Sequence, residues 1–272
     1  MPTCSRRFLF VLSLILLMPL LATADTGANT GAGKIGIVVM HGKGGSPAKH
    51  VADLAANLQS QGFLVANLEM PWSGRRAYDV DVGTAEQEVE AALSSLRDKG
   101  AGKLFVAGHS QGGLFALYFA GRHSVAGIVA IAPGGNVASP SFREQLGSTL
   151  EQARQLIAAG QGAEKTRLLD FEGSRGTYPI MTSPASYLSW FDPAGAMNQM
   201  QAVRSLNPAI PVLFIVPSGD YPALQRVKQQ YFDALPKNPR SKLYEPDSSH
   251  LNAPSASAKE IAAWMTAVAN GQ

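Results

Sequence analysis

The sequence predicts an α/β fold, with a mostly parallel sheet of about 6–8 strands, helices on both faces and one small insert. Three observations lead there. Strand-length runs that are apolar throughout recur along the chain, such as KIGIVVM at 34–40 and VAGIVAIA at 125–132. Segments with apolar residues at helical spacing separate these runs, so consecutive strands need crossover connections and lie parallel. Only 16% of residues are charged and 27 are glycine, which suits a sheet buried on both sides and joined by tight loops. At 272 residues the chain can bury one full core, with or without a small insert.

The elements follow in order. Residues 1–24 read as an export signal. Arg6 and Arg7 precede an apolar stretch at 8–21 broken only by Ser13 and Pro19, and Ala22-Thr23-Ala24 supplies a small-x-small cleavage pattern. The apolar stretch is short for a membrane span, which needs about 20 residues, although a retained N-terminal anchor is the alternative. The expected product is a periplasmic or secreted protein with no stable membrane span. Cys4 is the only cysteine. It falls inside the signal, so the mature chain has neither a disulfide nor a thiol nucleophile. Residues 25–33 form a flexible leader, and 34–272 the main domain.

Within that domain, strands are expected at 34–40, 63–68, 104–107, 125–132, 211–216 and 242–244. Helices are expected at 47–61, 111–120, 221–234 and 257–269. Thr84 with Gln87 three residues on predicts an N-cap, opening a helix to about residue 99 whose inner stripe is Val89, Ala92, Leu93 and Leu96. Between 134 and 207 the rhythm breaks. A helix pattern at 141–159 is followed by a loop-rich tract carrying Tyr178, Tyr187, Trp190 and Phe191. Residues 136–207 are therefore expected to form a cap over the strand ends. An ordinary crossover helix with a long surface loop is the alternative.

Chemistry concentrates at three places. Gly108-His109-Ser110-Gln111-Gly112 has a strand before it and a helix after it. A nucleophile elbow needs that context, because the strained turn leaves no room for side chains two residues either side of the Ser. Serine needs a base, and His250 in the polar loop Asp247-Ser248-Ser249-His250 follows the last strand. The acid should follow an intervening strand. Asp220 in Pro217-Ser218-Gly219-Asp220 does so, with Asp247 as the runner-up. The order Ser, Asp, His fits. Met40-His41-Gly42-Lys43-Gly44-Gly45 follows the first strand in the form of an HGxxG loop. The backbone N–H of Lys43, with Gly42 as alternative, and that of Gln111 are the expected oxyanion donors. His41 is expected to support the loop.

Together these residues resemble the α/β-hydrolase superfamily, in particular its bacterial esterase/lipase-like and dienelactone-hydrolase-like branches. The resemblance runs from about Lys34 to Ala269. It implies a mostly parallel sheet of about eight strands, here without its first strands, and a lid inserted after the sixth. It also implies acyl transfer to water by a serine hydrolase acting on a carboxylic ester or thioester. Two departures stand out. Ser110 replaces the Cys of dienelactone hydrolases, and Asn67-Leu68-Glu69-Met70-Pro71-Trp72 replaces the D-x-P-G-x-G turn of many relatives.

No metal or organic cofactor is expected, since no histidine has H-E-x-x-H spacing. Lys and Arg are scattered without a basic stripe, so a nucleic-acid partner is not expected; the expected partner is a small ester-type molecule. An acyltransferase or amidase with the same triad remains a rival, as does a low-turnover binding protein on the same scaffold. The aromatics of the insert point either to an apolar substrate group or to packing. Lys43, Arg75 and Arg76 favour an anionic substrate unless they are solvated surface.

Overall fold

A computed structural model describes residues 33–272, besides Met1. The expected signal and almost all of the leader lie outside the described residues. Six strands form one sheet: β1 (Lys34–Met40), β2 (Leu64–Leu68), β3 (Ala101–His109), β4 (Gly127–Ile131), β7 (Val212–Ile215) and β8 (Lys242–Tyr244). Their order is β2-β1-β3-β4-β7-β8 and every pairing is parallel. The helices outside the insert are α1 (Ala52–Ser60), α2 (Val82–Asp98), α3 (Gln111–Ala120), α7 (Pro222–Asp233), α8 (Ala253–Ala256) and α9 (Ala258–Ala269).

Strand alternation divides the core into two layers. Ile37, Val39, Phe105, Ala107, Val129 and Ile131 pack with Leu54 and Leu58 of α1 and with Ile261 and Met265 of α9. The intervening Val38, Met40, Val106, Ile128 and Ala130 pack on the opposite face with Val89 and Leu93 of α2 and with Leu114 and Leu117 of α3. Central strands buried on both faces explain the uninterrupted apolar runs. The N-cap of α2 is Asp81, whose side chain accepts from the Thr84 N–H. The expected Thr84 cap is therefore three residues late, and Thr84 supplies the donor that the true cap satisfies.

The segment between β4 and β7 is more ordered than its sequence suggests. It holds α4 (Pro140–Ala158), α5 (Pro184–Phe191) and α6 (Gln199–Arg204), and an antiparallel hairpin of β5 (Thr166–Glu172) and β6 (Gly176–Thr182). The expected loop-rich tract thus contains two strands. The alternation was hidden because the inward face of β5 carries Asp170 beside Leu168, and because β6 contains Pro179. Tyr187, Trp190 and Phe191 are buried core, so the packing alternative holds for these aromatics. Among the described residues no helix is long and apolar enough to cross a membrane.

Candidate active site

Ser110 sits between β3 and α3 with φ 54° and ψ −118°, a left-handed conformation that a non-glycine residue holds only under constraint. The constraints are visible. Its N–H donates to Ile131 O at 2.8 Å, and its carbonyl accepts from Leu114 N and Gly134 N. The turn is too tight for side chains nearby. A Cβ on Gly108 would lie 2.0 Å from Gly112 O, and one on Gly112 would lie 2.5 Å from Met40 O. The expected G-x-S-x-G elbow therefore exists as geometry. The first turn of α3 begins at Gln111 and turns free N–H groups toward the serine.

Two other strand-end loops converge here. The loop after β7 and the loop after β8 are stitched by Ser218 N donating to Pro246 O, by Gly219 N donating to Ser248 O, and by a bridge between Gly219 and Ser249. The result is a hydrogen bond of 2.7 Å between His250 Nδ1 and Asp220 Oδ1, with both side chains buried. A carboxylate accepts only, so Nδ1 carries the proton and Nε2 is left as the basic nitrogen. Asp220 Oδ1 also accepts from Tyr221 N. Asp247 turns outward and accepts from the Ser218 hydroxyl.

His109, next to the serine, anchors the imidazole loop. Its Nε2–H donates to His250 O at 2.9 Å, and the two rings lie 4.8 Å apart. Burial, aided by the neighbouring His250, pushes the His109 pKa down to about 3. The ring of Tyr221 lies 4.5 Å from His250, and both Tyr221 and Leu251, the residue after His250, are exposed. Among the described residues the Ser110 hydroxyl has no hydrogen-bond partner, His250 included. The acid and the imidazole are thus joined, whereas the serine stands beside them unbonded.

The loop after β1 is held from below. His41 donates through Nδ1 to Gly42 O and accepts at Nε2 from Met70 N, while Trp72 Nε1 donates to His41 O. Gly44 N donates to Trp72 O. Burial lowers the His41 pKa, so the ring stays a neutral linker, matching its expected supporting role. The Asn67–Trp72 segment that departs from relatives clamps this loop. Neither Lys43 N nor Gln111 N has an acceptor among the described residues, which leaves both N–H groups available.

The side chains of the same two residues lead to positions that sequence reasoning missed. Lys43 Nζ is 2.5 Å from Asp170 Oδ1 and lies under Phe142 and Phe191. Tyr78, with φ 58°, bonds to both Gln111 and Asp170. Arg76 is held by Glu88 and Asp79. Lys43 and Arg76 are therefore neutralised within the protein, which corrects the expectation for two of the three cations read as favouring an anionic substrate, while Arg75 lies on the exposed surface. Among the described residues no three His, Cys, Asp or Glu side chains gather as a metal-ligand set.

The chain matches the sequence profile of an alpha/beta hydrolase family over residues 37–264. Curated protein sequences give no match. Among solved structures it is similar to a metagenome-derived lipolytic enzyme (LipS or LipT), with TM-score 0.59 at 19% identity over 88% of this chain and 94% of that one. It is similar to the monoacylglycerol lipase of Paleococcus ferrophilus, with TM-score 0.58 at 21% identity over 86% and 94%. The enol-lactonase of Burkholderia xenovorans LB400 gives TM-score 0.55 at 16% identity over 86% and 92%. At these identities the structures speak for the fold, and the profile, covering most of the sequence, speaks for the family: the chain belongs to the alpha/beta hydrolase family.

Proposed function

We propose that this hydrolase cleaves a carboxylic ester or thioester of a small molecule through an acyl-enzyme on Ser110. His250 is the base, Asp220 its orienting acid, and the N–H groups of Lys43 and Gln111 are the oxyanion donors. The observation that carries the proposal is the buried His250–Asp220 bond of 2.7 Å, held on two stitched loops next to a serine in the strained φ 54° elbow. An imidazole fixed through Nδ1 has one free nitrogen, and that nitrogen can take the Ser110 proton.

The steps follow from these groups. Substrate displaces water from the serine, and the Ser110–His250 hydrogen bond closes in that complex, as such bonds do when a free site fills. Ser110 Oγ attacks the carbonyl carbon while His250 Nε2 takes the proton. Negative charge on the carbonyl oxygen meets two backbone N–H groups at a helix start and a clamped loop. His250 then returns the proton to the leaving oxygen or sulfur. Water repeats the sequence on the acyl-enzyme and frees the acid. We further propose that residues 1–24 direct export, on the strength of their charged, apolar and small-residue succession.

The test is hydrolysis of a p-nitrophenyl ester series of rising acyl length, alongside thioester and amide analogues. Ester turnover is expected, falling by at least about 10³-fold in Ser110→Ala. Turnover retained in Ser110→Ala would overturn the proposal. Amide cleavage without ester cleavage would favour the amidase rival.

A further inference from the structure

We infer that Asp170, on the inward face of β5, is a positioning residue that sets both halves of the oxyanion hole from the insert. The inference rests on the Ser110 reading above and adds a residue to its site. Asp170 is 1% exposed, and its carboxylate is fully occupied by donors. Lys43 Nζ and Phe171 N reach Oδ1 at 2.5 and 2.7 Å, and the hydroxyls of Tyr178 and Tyr78 reach Oδ2 at 2.9 and 3.2 Å. Such an arrangement is costly to bury unless every bond is made, so the carboxylate fixes the groups around it.

Two of those groups lead straight to the proposed oxyanion donors. Lys43 carries one N–H on its own backbone, and its side chain is drawn into the insert by Asp170 and by Phe171 O at 3.1 Å. Gln111 carries the other. Its Nε2 donates to Tyr78 Oη at 3.2 Å, and the Tyr78 hydroxyl in turn donates to Asp170 Oδ2. One buried carboxylate thus joins Lys43 and Gln111, which are 68 positions apart by their numbers in the sequence. Tyr78 is itself pinned, its carbonyl accepting from Thr182 and Ser186 of the same insert. Burial and the Asp170 charge hold the Tyr78 hydroxyl protonated, so it remains a donor to the carboxylate. Oxyanion donors act by being placed before charge develops, and a displacement of about 1 Å costs on the order of 100-fold.

The experiment compares wild type, Asp170→Asn and Tyr78→Phe in kcat and KM on p-nitrophenyl acetate and in the rate of fluorophosphonate labelling, well below each melting temperature. Ser174→Ala, at the exposed hairpin tip and bonded only to Glu172, is the control. Asp170→Asn is expected to lower kcat by about 10- to 100-fold with KM little changed, and Tyr78→Phe to lower kcat by a smaller factor. Ser174→Ala should match wild type. A purely structural role would lower the melting temperature and leave kcat and labelling rate alone, and that result overturns the inference. Tyr78→Phe removes one hydroxyl, so it decides the matter should Asp170→Asn fail to fold. Wild type that does not label at all refutes the Ser110 reading; wild type that labels while both variants label equally fast refutes only the role of Asp170.

Discussion

His109 illustrates how a single side chain serves geometry at the expense of stability in acid. Its Nε2–H secures the His250 loop, while its Nδ1 is buried without a partner. Burial pushes its pKa to about 3 from the usual 6.5. The folded chain keeps this ring neutral where the unfolded chain protonates it, so stability declines as pH falls from about 6.5 toward 3. His109 alone should make the protein about 2 kcal/mol less stable at pH 5 than at pH 7.5. Denaturant melts at the two pH values check this, and in His109→Asn the difference should shrink by that amount. The carboxylates offer a second contrast at this scale. Asp220→Asn should lower kcat by about 10³- to 10⁴-fold, whereas Asp247→Asn, on an outward-facing group bonded to Ser218, should leave kcat near wild type. The strand-end positions of Ser110, Asp220 and His250, proposed above as the triad, were legible in the sequence because each follows a strand within a short polar or glycine-rich motif. Asp170 and Tyr78 were not, since their meaning lies in contacts 127 and 92 residues away along the chain.

Elements were readable where their pattern was local and uninterrupted. β1, β8 and α3 occupy the expected residues, α3 starting directly after Ser110. The elbow depends on close backbone approach, and a test follows from it. Gly112→Ala would drive a Cβ to 2.5 Å from Met40 O and 2.7 Å from His41 O, separating α3 from the loop that carries Lys43. The variant should lose most activity and about 1–3 kcal/mol of stability, measured by turnover and chemical denaturation. The β5–β6 hairpin escaped the sequence because an inward Asp interrupts the apolar alternation and a proline argues against a strand. Pro179 is tolerated because β6 has a partner on one side only. The charge that obscured the strand is the one proposed above to organise the oxyanion hole, so a local departure from the folding pattern coincides with that proposed role.

At the scale of the whole molecule, a parallel sheet brings the ends of β1, β3, β7 and β8 to one edge, so loops distant in sequence meet there. The fold class was legible because six apolar runs alternate with helices. The convergence of the loops was expected because each motif follows a strand of a parallel sheet, whereas the order of the strands is seen only in the structure. What no pattern conveyed was the insert's reach into the site through Asp170. The central claim, that Ser110 is the nucleophile activated by the joined His250–Asp220 pair, is tested most directly by fluorophosphonate labelling with peptide mapping. Folded wild-type protein should take up one equivalent on Ser110, with labelling far slower in His250→Ala. Folded wild type that stays unlabelled, or carries the label on another residue, would contradict it.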